Sequence, residues 1–318
     1  MTMTVRSGVR AAALGTRRWG TPGSERARLE RRLAALLCAP AVLVILAVTG
    51  YPIGYAIYLS LERFDLRFPE QHGFVGLGNY GAVLGSGYWW QAFTITVIIT
   101  VVSVAIEFVI ALALALALAM HRTVVGRGLV RAVVLIPYSI VTVVASYSWQ
   151  YAWTPGKGYL AALLPEGVAP LTNQVTAIAL IILVEVWKTT PFMALLLLAG
   201  LVLVPEDLLK AAAMDGAGPW QRLTRVILPI MKPAILVALL FRTLDAFRVF
   251  DIIYILTRGS NGTESVSMLG YDNLFSAFNL GIGSAISVLI FLAVALFALV
   301  FVKLFGVAAP GAKVQARR

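Results

Sequence analysis

The sequence predicts an all-α fold, a polytopic membrane bundle of six transmembrane helices. Hydrophobic residues make up 60% of its 318 residues and charged residues only 13%, whereas soluble domains average about 45–50% apolar and about 25% charged residues. Six apolar runs reach the ~20 residues that a membrane-spanning helix needs, and they are too continuous for barrel strands, which alternate over ~10 residues. They cover residues 33–61, 92–120, 129–153, 175–204, 228–257 and 282–305, numbered here as spans one to six.

The basic residues are distributed unevenly along the chain, and this predicts its orientation. The net charge is +11, and Lys and Arg concentrate before span one, after spans two and four, and after span six. The alternate segments contain only Arg63, Arg67, Lys157 and Arg258. By the positive-inside rule, both termini lie in the cytoplasm and the protein crosses the plasma membrane several times. The excess charge therefore indicates topology and an attraction for anionic lipid, and we expect no nucleic-acid partner.

The predicted domain organisation follows from these spans. Residues 1–32 are rich in Arg, Gly, Ala and Ser, a composition typical of a disordered cytoplasmic tail. Residues 33–305 form the six-helix membrane domain, and residues 306–318 form a second cytoplasmic tail. Within the membrane domain, a polar loop covers residues 205–227 between spans four and five.

The sequence shows no catalytic constellation. It lacks the phosphate-loop pattern of Gly, four residues and Gly-Lys-Ser/Thr, and its serines have no histidine partner for nucleophilic catalysis. His72 and His121 stand alone without further ligands at metal-binding spacing. Cys38 is the single cysteine, which excludes an intrachain disulfide. We therefore expect no catalytic residue, no metal and no cofactor in this chain.

Charged residues within span five form one candidate site. Arg242, Asp245, Arg248 and Asp251 recur every three residues, so the spacing predicts a row in which each charge reaches an opposite charge at i,i+3. Charges within a bilayer are costly and usually face a cavity or a partner. The row is compatible with a packing device that holds the bundle together, and equally with a gating or substrate-lining role.

Two other spans also carry intramembrane charges. Glu185 and Lys188 lie at i,i+3 on span four, and we expect them to neutralise each other close to Pro191. A kinked, partly polar helix of this kind is typical of a cavity wall. Glu107 on span two has no partner nearby in the sequence, so we expect it to pair across the bundle with Lys188 or with an arginine of span five.

Aromatic and amide side chains at the end of span three form a second candidate site. The rings of Trp149 and Tyr151 suit the apolar faces of a sugar, and Gln150 suits its hydroxyl groups. An aromatic belt at the membrane interface explains the same residues without a ligand. The substrate path predicted from the sequence comprises Trp149, Gln150, Tyr151, Trp187, Lys188, Phe247 and Asn273.

The polar loop after span four has the features of a docking site for another protein. Its alanines favour a short helix with small side chains, Asp215 and Gly216 supply a turn, and Pro229 and Pro233 mark the start of span five. The predicted docking residues are Ala211, Ala212, Asp215, Gly216, Ala217, Leu223 and Pro229.

This loop resembles the cytoplasmic loop of ABC importer permeases, whose pattern is Glu-Ala-Ala, two residues, Asp-Gly-Ala and, further on, an apolar residue followed by Pro. Asp215, Gly216 and Pro229 fall in register, whereas Lys210 stands where the family has Glu. The charge string of span five and the Gly-Leu-Gly-Asn-Tyr segment at 76–80 are similar to those of sugar-importer permeases of the maltose type. An interfacial anchor also explains segment 76–80.

The resemblance implies a type I ABC importer permease fold and a transport subunit rather than an enzyme. It implies that the chain forms half of the path for a sugar delivered by an extracytoplasmic binding lipoprotein. A second homologous permease and an ATPase dimer, which binds ATP and Mg, would complete the complex. Segments that begin at Trp187, Phe241 and Tyr271 are most similar to trehalose-importer permeases of mycobacteria, which implies trehalose as the cargo. An ion-coupled secondary transporter of a small polar solute is the alternative function, since it also places charges within the membrane.

Overall fold

A computed structural model describes residues 25–120, 127–165 and 167–305. Within these ranges the chain is almost entirely helical, with one short antiparallel pair of strands, β1 (Glu62–Arg63) and β2 (Gly73–Phe74). The α-helices are α1 (Glu25–Ile45), α2 (Tyr51–Ser60), α3 (Gly78–Leu84), α4 (Gly87–Met120), α5 (Arg127–Ser139), α6 (Thr142–Ala152), α7 (Gln174–Val202), α8 (Glu206–Met214), α9 (Pro219–Arg222), α10 (Leu228–Ala246), α11 (Asp251–Leu256), α12 (Val266–Tyr271) and α13 (Leu280–Phe305).

The residues up to Tyr55 and those from Ala56 onward form two separate compact units. The described part of the first unit is α1, a π-helical turn at Leu46–Gly50 and the start of α2, and its side chains are almost all exposed. Helix α1 begins within the segment predicted to be a disordered tail, because its Glu, Arg, Ala and Leu residues all favour a helix. The rest of that predicted tail, residues 1–24, and the predicted tail at 306–318 lie outside the described residues.

Five helical segments of the described chain are long and apolar enough to cross a membrane, and they correspond to spans one, two, four, five and six. They cover Leu29–Ser60, Gly87–Ala119, Gln174–Val202, Pro219–Leu256 and Leu280–Lys303. The prediction of an all-α membrane bundle is therefore confirmed.

Span three is a broken helix. Its two parts, Gly128–Ser139 and Thr142–Ala152, meet at an angle of 81°. Pro137 lies near the end of α5, and Val141 has extended backbone with φ −56° and ψ 132°. The prediction of one continuous helix over residues 129–153 was therefore wrong, and only the bent pair taken together accounts for a sixth span.

Span five is interrupted as well. Helix α10 ends at Ala246 and α11 begins at Asp251, and the segment between them contains hydrogen bonds at i,i+3 spacing. The backbone carbonyl of Val249 is freed by this break. It accepts a hydrogen bond of 2.9 Å from the Ser265 hydroxyl, so the irregular segment is held by the start of α12.

Helices α4, α7 and α10 form the core of the second unit. One buried apolar cluster contains Ile99 and Ile181, and a second contains Ala111, Met193 and Met231. Both α4 and α7 pass from the first cluster to the second, and most of the polar residues that they bury, among them Glu107 and Thr189, lie between the two. A third apolar cluster packs α12 and α13 against α4.

Helices α7 and α10 also approach each other closely at a glycine. A Cβ atom added to Gly200 would lie 2.4 Å from the Cβ of Ala234. Small residues allow two membrane helices to pack backbone against backbone. A larger residue at Gly200 would therefore push α7 and α10 apart.

Candidate functional site

Charged residues of three helices meet at Arg242 of α10. Its guanidinium donates two hydrogen bonds to Glu107 of α4, with Nε–Oε2 and Nη2–Oε1 distances of 2.7 and 3.0 Å. Nη2 also donates to Oε1 of Glu185 on α7 at 3.0 Å, and Nη1 donates to Asp245. The hydroxyl of Thr189 donates to Glu107 at 2.8 Å. These five residues, named here the charge cluster, tie α4, α7 and α10 together.

The charge cluster is buried except at one carboxylate. Arg242 is 1% exposed and Glu107 is 0% exposed, whereas the side chain of Asp245 is 71% exposed. Removing two ions from water costs several kcal/mol per ion, and only close, well-satisfied pairing offsets this cost. The bidentate contact between Arg242 and Glu107 provides such pairing. Of the two partners expected for Glu107, the structure shows the arginine of span five.

Lys188 does not pair with Glu185, contrary to the prediction. Its Nζ donates a 2.7 Å hydrogen bond to the carbonyl of Ile140 and lies 3.4 Å from the carbonyl of Tyr138. Both carbonyls lie at the break between α5 and α6, where they lack the usual helical donors. A cation is also favourable at the C-terminal end of α5. Lys188 therefore fastens the bend of span three to α7.

The predicted row of alternating charges in span five stops at Asp245. Arg248 lies in the irregular segment after α10, and Asp251 begins α11. Both side chains are exposed, and neither has an opposite charge within 4.0 Å in the part of the chain that the structure describes. The prediction assumed that span five is one continuous helix. The break after Ala246 ends the helical geometry that brings residues three positions apart onto one side.

The aromatic end of span three is tied to neighbouring helices. The rings of Trp149 and Trp187 meet edge to face with a centroid distance of 5.7 Å, and Trp149 packs against the first apolar cluster. The amide of Gln150 donates a 2.5 Å hydrogen bond to the carbonyl of Ile255 on α11. Tyr151 is exposed. The structure thus brings Trp149 and Trp187 together, while it commits the Gln150 amide nitrogen to the backbone.

Two further residues of the predicted path serve packing. Phe247 is 1% exposed, and its ring lies 6.0 Å from that of Phe93 and 5.2 Å from that of Phe297. The amide of Asn273 donates to the carbonyl of Leu269 at 2.8 Å. Phe247 is therefore closed to a solute in this structure, because neighbouring side chains bury it almost completely.

A second aromatic group was missed by the sequence analysis. The rings of Phe250, Tyr254, Tyr271 and Phe275, named here the aromatic ladder, follow one another with centroid distances of 5.3, 5.5 and 4.9 Å. A hydrogen bond with the Tyr254 phenol raises the pKa of Tyr271. The guanidinium of Arg258 lies 4.5 Å from the Tyr254 ring centroid. Two aromatic pairs at i,i+4 spacing, 250/254 and 271/275, were the available signal.

The loop at 205–227 is organised around one glycine. Helix α8 ends in a Schellman motif, in which the N–H of Gly216 donates to the carbonyl of Ala213 at 3.1 Å and that of Ala217 donates to Ala212 at 2.9 Å. Gly216 has φ +80°, a conformation that favours glycine because it has no Cβ. The turn then leads into α9, where the Gln221 side chain accepts a hydrogen bond from the Gly218 N–H.

The surface of this loop is open. Of the predicted docking residues, Ala211, Asp215, Gly216 and Pro229 are exposed, and Ala212, Ala217 and Leu223 are half-buried. Met214 and Trp220 add exposed apolar side chains, and contiguous exposed apolar residues mark interaction sites. Lys210 lies 3.7 Å from Glu206 and 3.4 Å from Asp207 within its own helix. The Lys in place of the family's Glu is thus balanced locally by acidic residues.

The Gly76–Tyr80 segment is held in place by one buried amide. Asn79 donates hydrogen bonds to the carbonyls of Ser60 and Glu62, at 2.9 and 2.8 Å. The carbonyl oxygen of Glu62 also lies close to the backbone of α13. A Cβ atom added to Gly281 of that helix would lie 2.3 Å from this oxygen. The segment therefore has a local structural role, joining α3 to the end of α2 and to β1.

A family model described as "Binding-protein-dependent transport system inner membrane component" matches residues 109–310. The chain belongs to this family. It is 66% identical over 288 residues to the trehalose transport system permease protein SugA of Mycobacterium tuberculosis, which covers 91% of this chain and 93% of that protein. It is 41% identical over 280 residues to the trehalose/maltose transport system permease protein MalF of Thermococcus litoralis, covering 86% and 94%.

The fold is also found in a solved transporter. A chain from the crystal structure of a bacterial ABC transporter involved in the import of alginate superposes with a TM-score of 0.75. The match covers 88% of this chain and 98% of that chain, at 22% identity. At this identity the likeness shows the fold alone, which is that of the type I ABC importer permeases. The predicted fold and family are therefore confirmed.

Proposed function

We propose that this chain is one permease subunit of an ATP-driven importer, and that the cargo is the disaccharide trehalose. The observation that carries the proposal is the 66% identity to a trehalose transport permease over more than nine tenths of both chains. A second relative also carries trehalose in its name, at 41% identity. Membership of the binding-protein-dependent family supports an importer that receives its substrate from a separate binding protein.

In this function the loop at 205–227 faces the cytoplasm and docks on an ATPase. The unequal distribution of Lys and Arg between alternate loops supports that orientation. The exposed Met214 and Trp220, together with a turn fixed by Gly216, offer a rigid surface with apolar anchors. Asp215 is exposed, so we assign its carboxylate to the partner's surface. ATP and Mg bind to the ATPase dimer, and a second homologous permease supplies the other half of the path.

Reconstitution of the complete transporter tests this function. The chain is co-expressed with a second permease, an ATPase and a sugar-binding lipoprotein from the same organism, and uptake of labelled solute into proteoliposomes is measured. We expect trehalose uptake that requires ATP and the binding protein, with maltose and glycerol 3-phosphate as competing solutes. Uptake that follows a proton or sodium gradient and ignores ATP would instead support the secondary-transporter alternative.

A further inference from the structure

The aromatic ladder lies on a face of the molecule that carries exposed charges. Asp245, Arg248 and Asp251 of the apolar segment Pro219–Leu256 are exposed. Asp251 and Tyr254 lie at i,i+3 on α11, which places them on one side of that helix, and the exposed Arg258 lies 4.5 Å from the Tyr254 ring centroid. An exposed charge within a membrane span is costly in hydrocarbon and faces a bundle interior or a water-filled cavity. The ladder's face is therefore turned away from lipid in the assembled protein.

The same charges argue against a dry contact with another subunit. Among the described residues, Arg248 and Asp251 have no ion-pair partner. Covering them with protein would bury unpaired charges, which costs several kcal/mol per ion. Water or a polar solute beside the ladder leaves them hydrated. A water-filled passage is therefore the environment that suits both the exposed charges and the aromatic rings.

The chemistry of the ladder suits a neutral sugar. Aromatic rings accept the C–H faces of pyranose units, while the phenol groups of Tyr254 and Tyr271 can exchange hydrogen bonds with sugar hydroxyls. Phe275, at one end of the ladder, is 62% exposed and so offers a free ring. Asp245 is paired with Arg242, so the flanking charges that form no ion pair among the described residues are two carboxylates, Asp251 and Asp272, and two guanidinium groups, Arg248 and Arg258. This balance gives no preference for an anionic solute.

We propose that the aromatic ladder is a sugar-stacking surface within the translocation path, along which a neutral disaccharide passes. The inference rests on the proposed function and adds to it a set of contacts that the predicted path of Trp149, Gln150 and Phe247 did not contain. The ladder provides the aromatic contact with the solute that Phe247, being buried, cannot provide. A subunit interface is the competing occupant of this face, and the experiment separates the two.

Cysteine accessibility in the complete transporter tests the proposal. Cys38 is replaced by Ser to remove the single native thiol, and Tyr254→Cys or Phe275→Cys is introduced. A charged methanethiosulfonate reagent is applied during ATP-driven turnover, with and without trehalose-loaded binding protein. We expect both cysteines to react, and trehalose to slow the reaction at least about threefold, whereas Phe247→Cys, at a fully buried ring, stays unreactive. A solute that the complex does not transport should give no protection.

Each other outcome overturns the proposal. Unreactive cysteines in an assembled complex would place the ladder in a subunit interface, as would loss of the second permease from both variants. Reaction that trehalose does not slow would leave a wet surface without a sugar site. Absence of ATP-dependent uptake by the unmodified complex would instead refute the proposed function itself.

Transport kinetics provide a second measurement. Tyr254→Ala removes a stacking ring and should raise the KM for trehalose by roughly three- to tenfold, the range for one aromatic contact. Tyr254→Phe keeps the ring and should raise KM less. Tyr88→Ala removes an exposed tyrosine outside the ladder and should leave KM unchanged. Equal KM values for all three variants would contradict a stacking role.

Discussion

Replacement of Arg242 by Met should destabilise the bundle far more than any replacement of Asp245. Arg242→Met breaks the contacts to Glu107 and Glu185, both of which are buried. Breaking a buried pair by removing one partner costs about 3–5 kcal/mol, because the remaining charge is left without compensation. The carboxylate of Asp245 is 71% exposed, so Asp245→Asn should cost under about 1 kcal/mol.

The cost of Arg242→Met should be recovered when its carboxylates are removed as well. In the triple variant Arg242→Met, Glu107→Met, Glu185→Met, apolar side chains of similar size replace the ions, an exchange that is often neutral for stability. Thr189 keeps a partner in this variant, because its hydroxyl can donate instead to the carbonyl of Glu185, 2.6 Å away. The triple variant is thus expected to approach the stability of the unmodified chain.

Thermal unfolding of the purified complex in detergent measures these differences. At ~2–4 °C per kcal/mol, Arg242→Met should lower Tm by about 6–20 °C and Asp245→Asn by no more than about 4 °C. A triple variant as unstable as Arg242→Met alone would refute the reasoning, since the cost would then come from lost packing. Equal losses for Arg242→Met and Asp245→Asn would show that burial does not set the cost.

Three smaller changes test other contacts. Gly216→Val forces a β-branched residue to φ +80° and should reduce co-purification with the ATPase, whereas Gly216→Asn should retain most of it, since Asn tolerates this conformation; equal retention would argue that the turn is not needed. Lys188→Met leaves the carbonyl of Ile140 without a donor and should cost about 1–3 kcal/mol, measured as a lower Tm that Lys188→Arg partly restores. Asn79→Ala and Asn79→Asp should both lose about 1–3 kcal/mol, because neither side chain can donate to two buried carbonyls; an Asp variant with an unchanged Tm would contradict this assignment.

The spans were predictable where a single helix satisfies its own backbone. Span three was not, although Pro137, Pro191 and Pro233 offer the same local signal. Helix α7 continues through Pro191 and α10 continues through Pro233, whereas α5 ends shortly after Pro137. The freed carbonyls at the end of α5 accept hydrogen bonds from Lys188, a residue of another span. A local sequence pattern does not contain that information.

The candidate sites also divide into features with a local cause, which the sequence predicts, and features that depend on how the helices pack. A buried carboxylate must find a cation, so the need of Glu107 for a partner was predictable, but the choice of Arg242 over Lys188 depends on how the helices are rotated. The turn at Gly216 was predictable because its cause is local. The aromatic ladder combines rings from two segments separated by a loop, and only the fold brings them together.

The loop at 205–227 joins α7 and α10, two helices that contact each other closely at two positions along their length. Gly200 allows close contact between α7 and α10, and further along the two helices Arg242 forms an ion pair with Glu185. Together with the loop, these contacts couple α7 to α10, and the surface that we propose for docking lies at the end of the pair where the loop connects them. A displacement of the loop would be transmitted through Arg242 of α10 to Glu107, and so to α4. Weakening either contact should lower the rate of transport more than the rate of ATP hydrolysis. This difference between the two rates should appear before the complex dissociates.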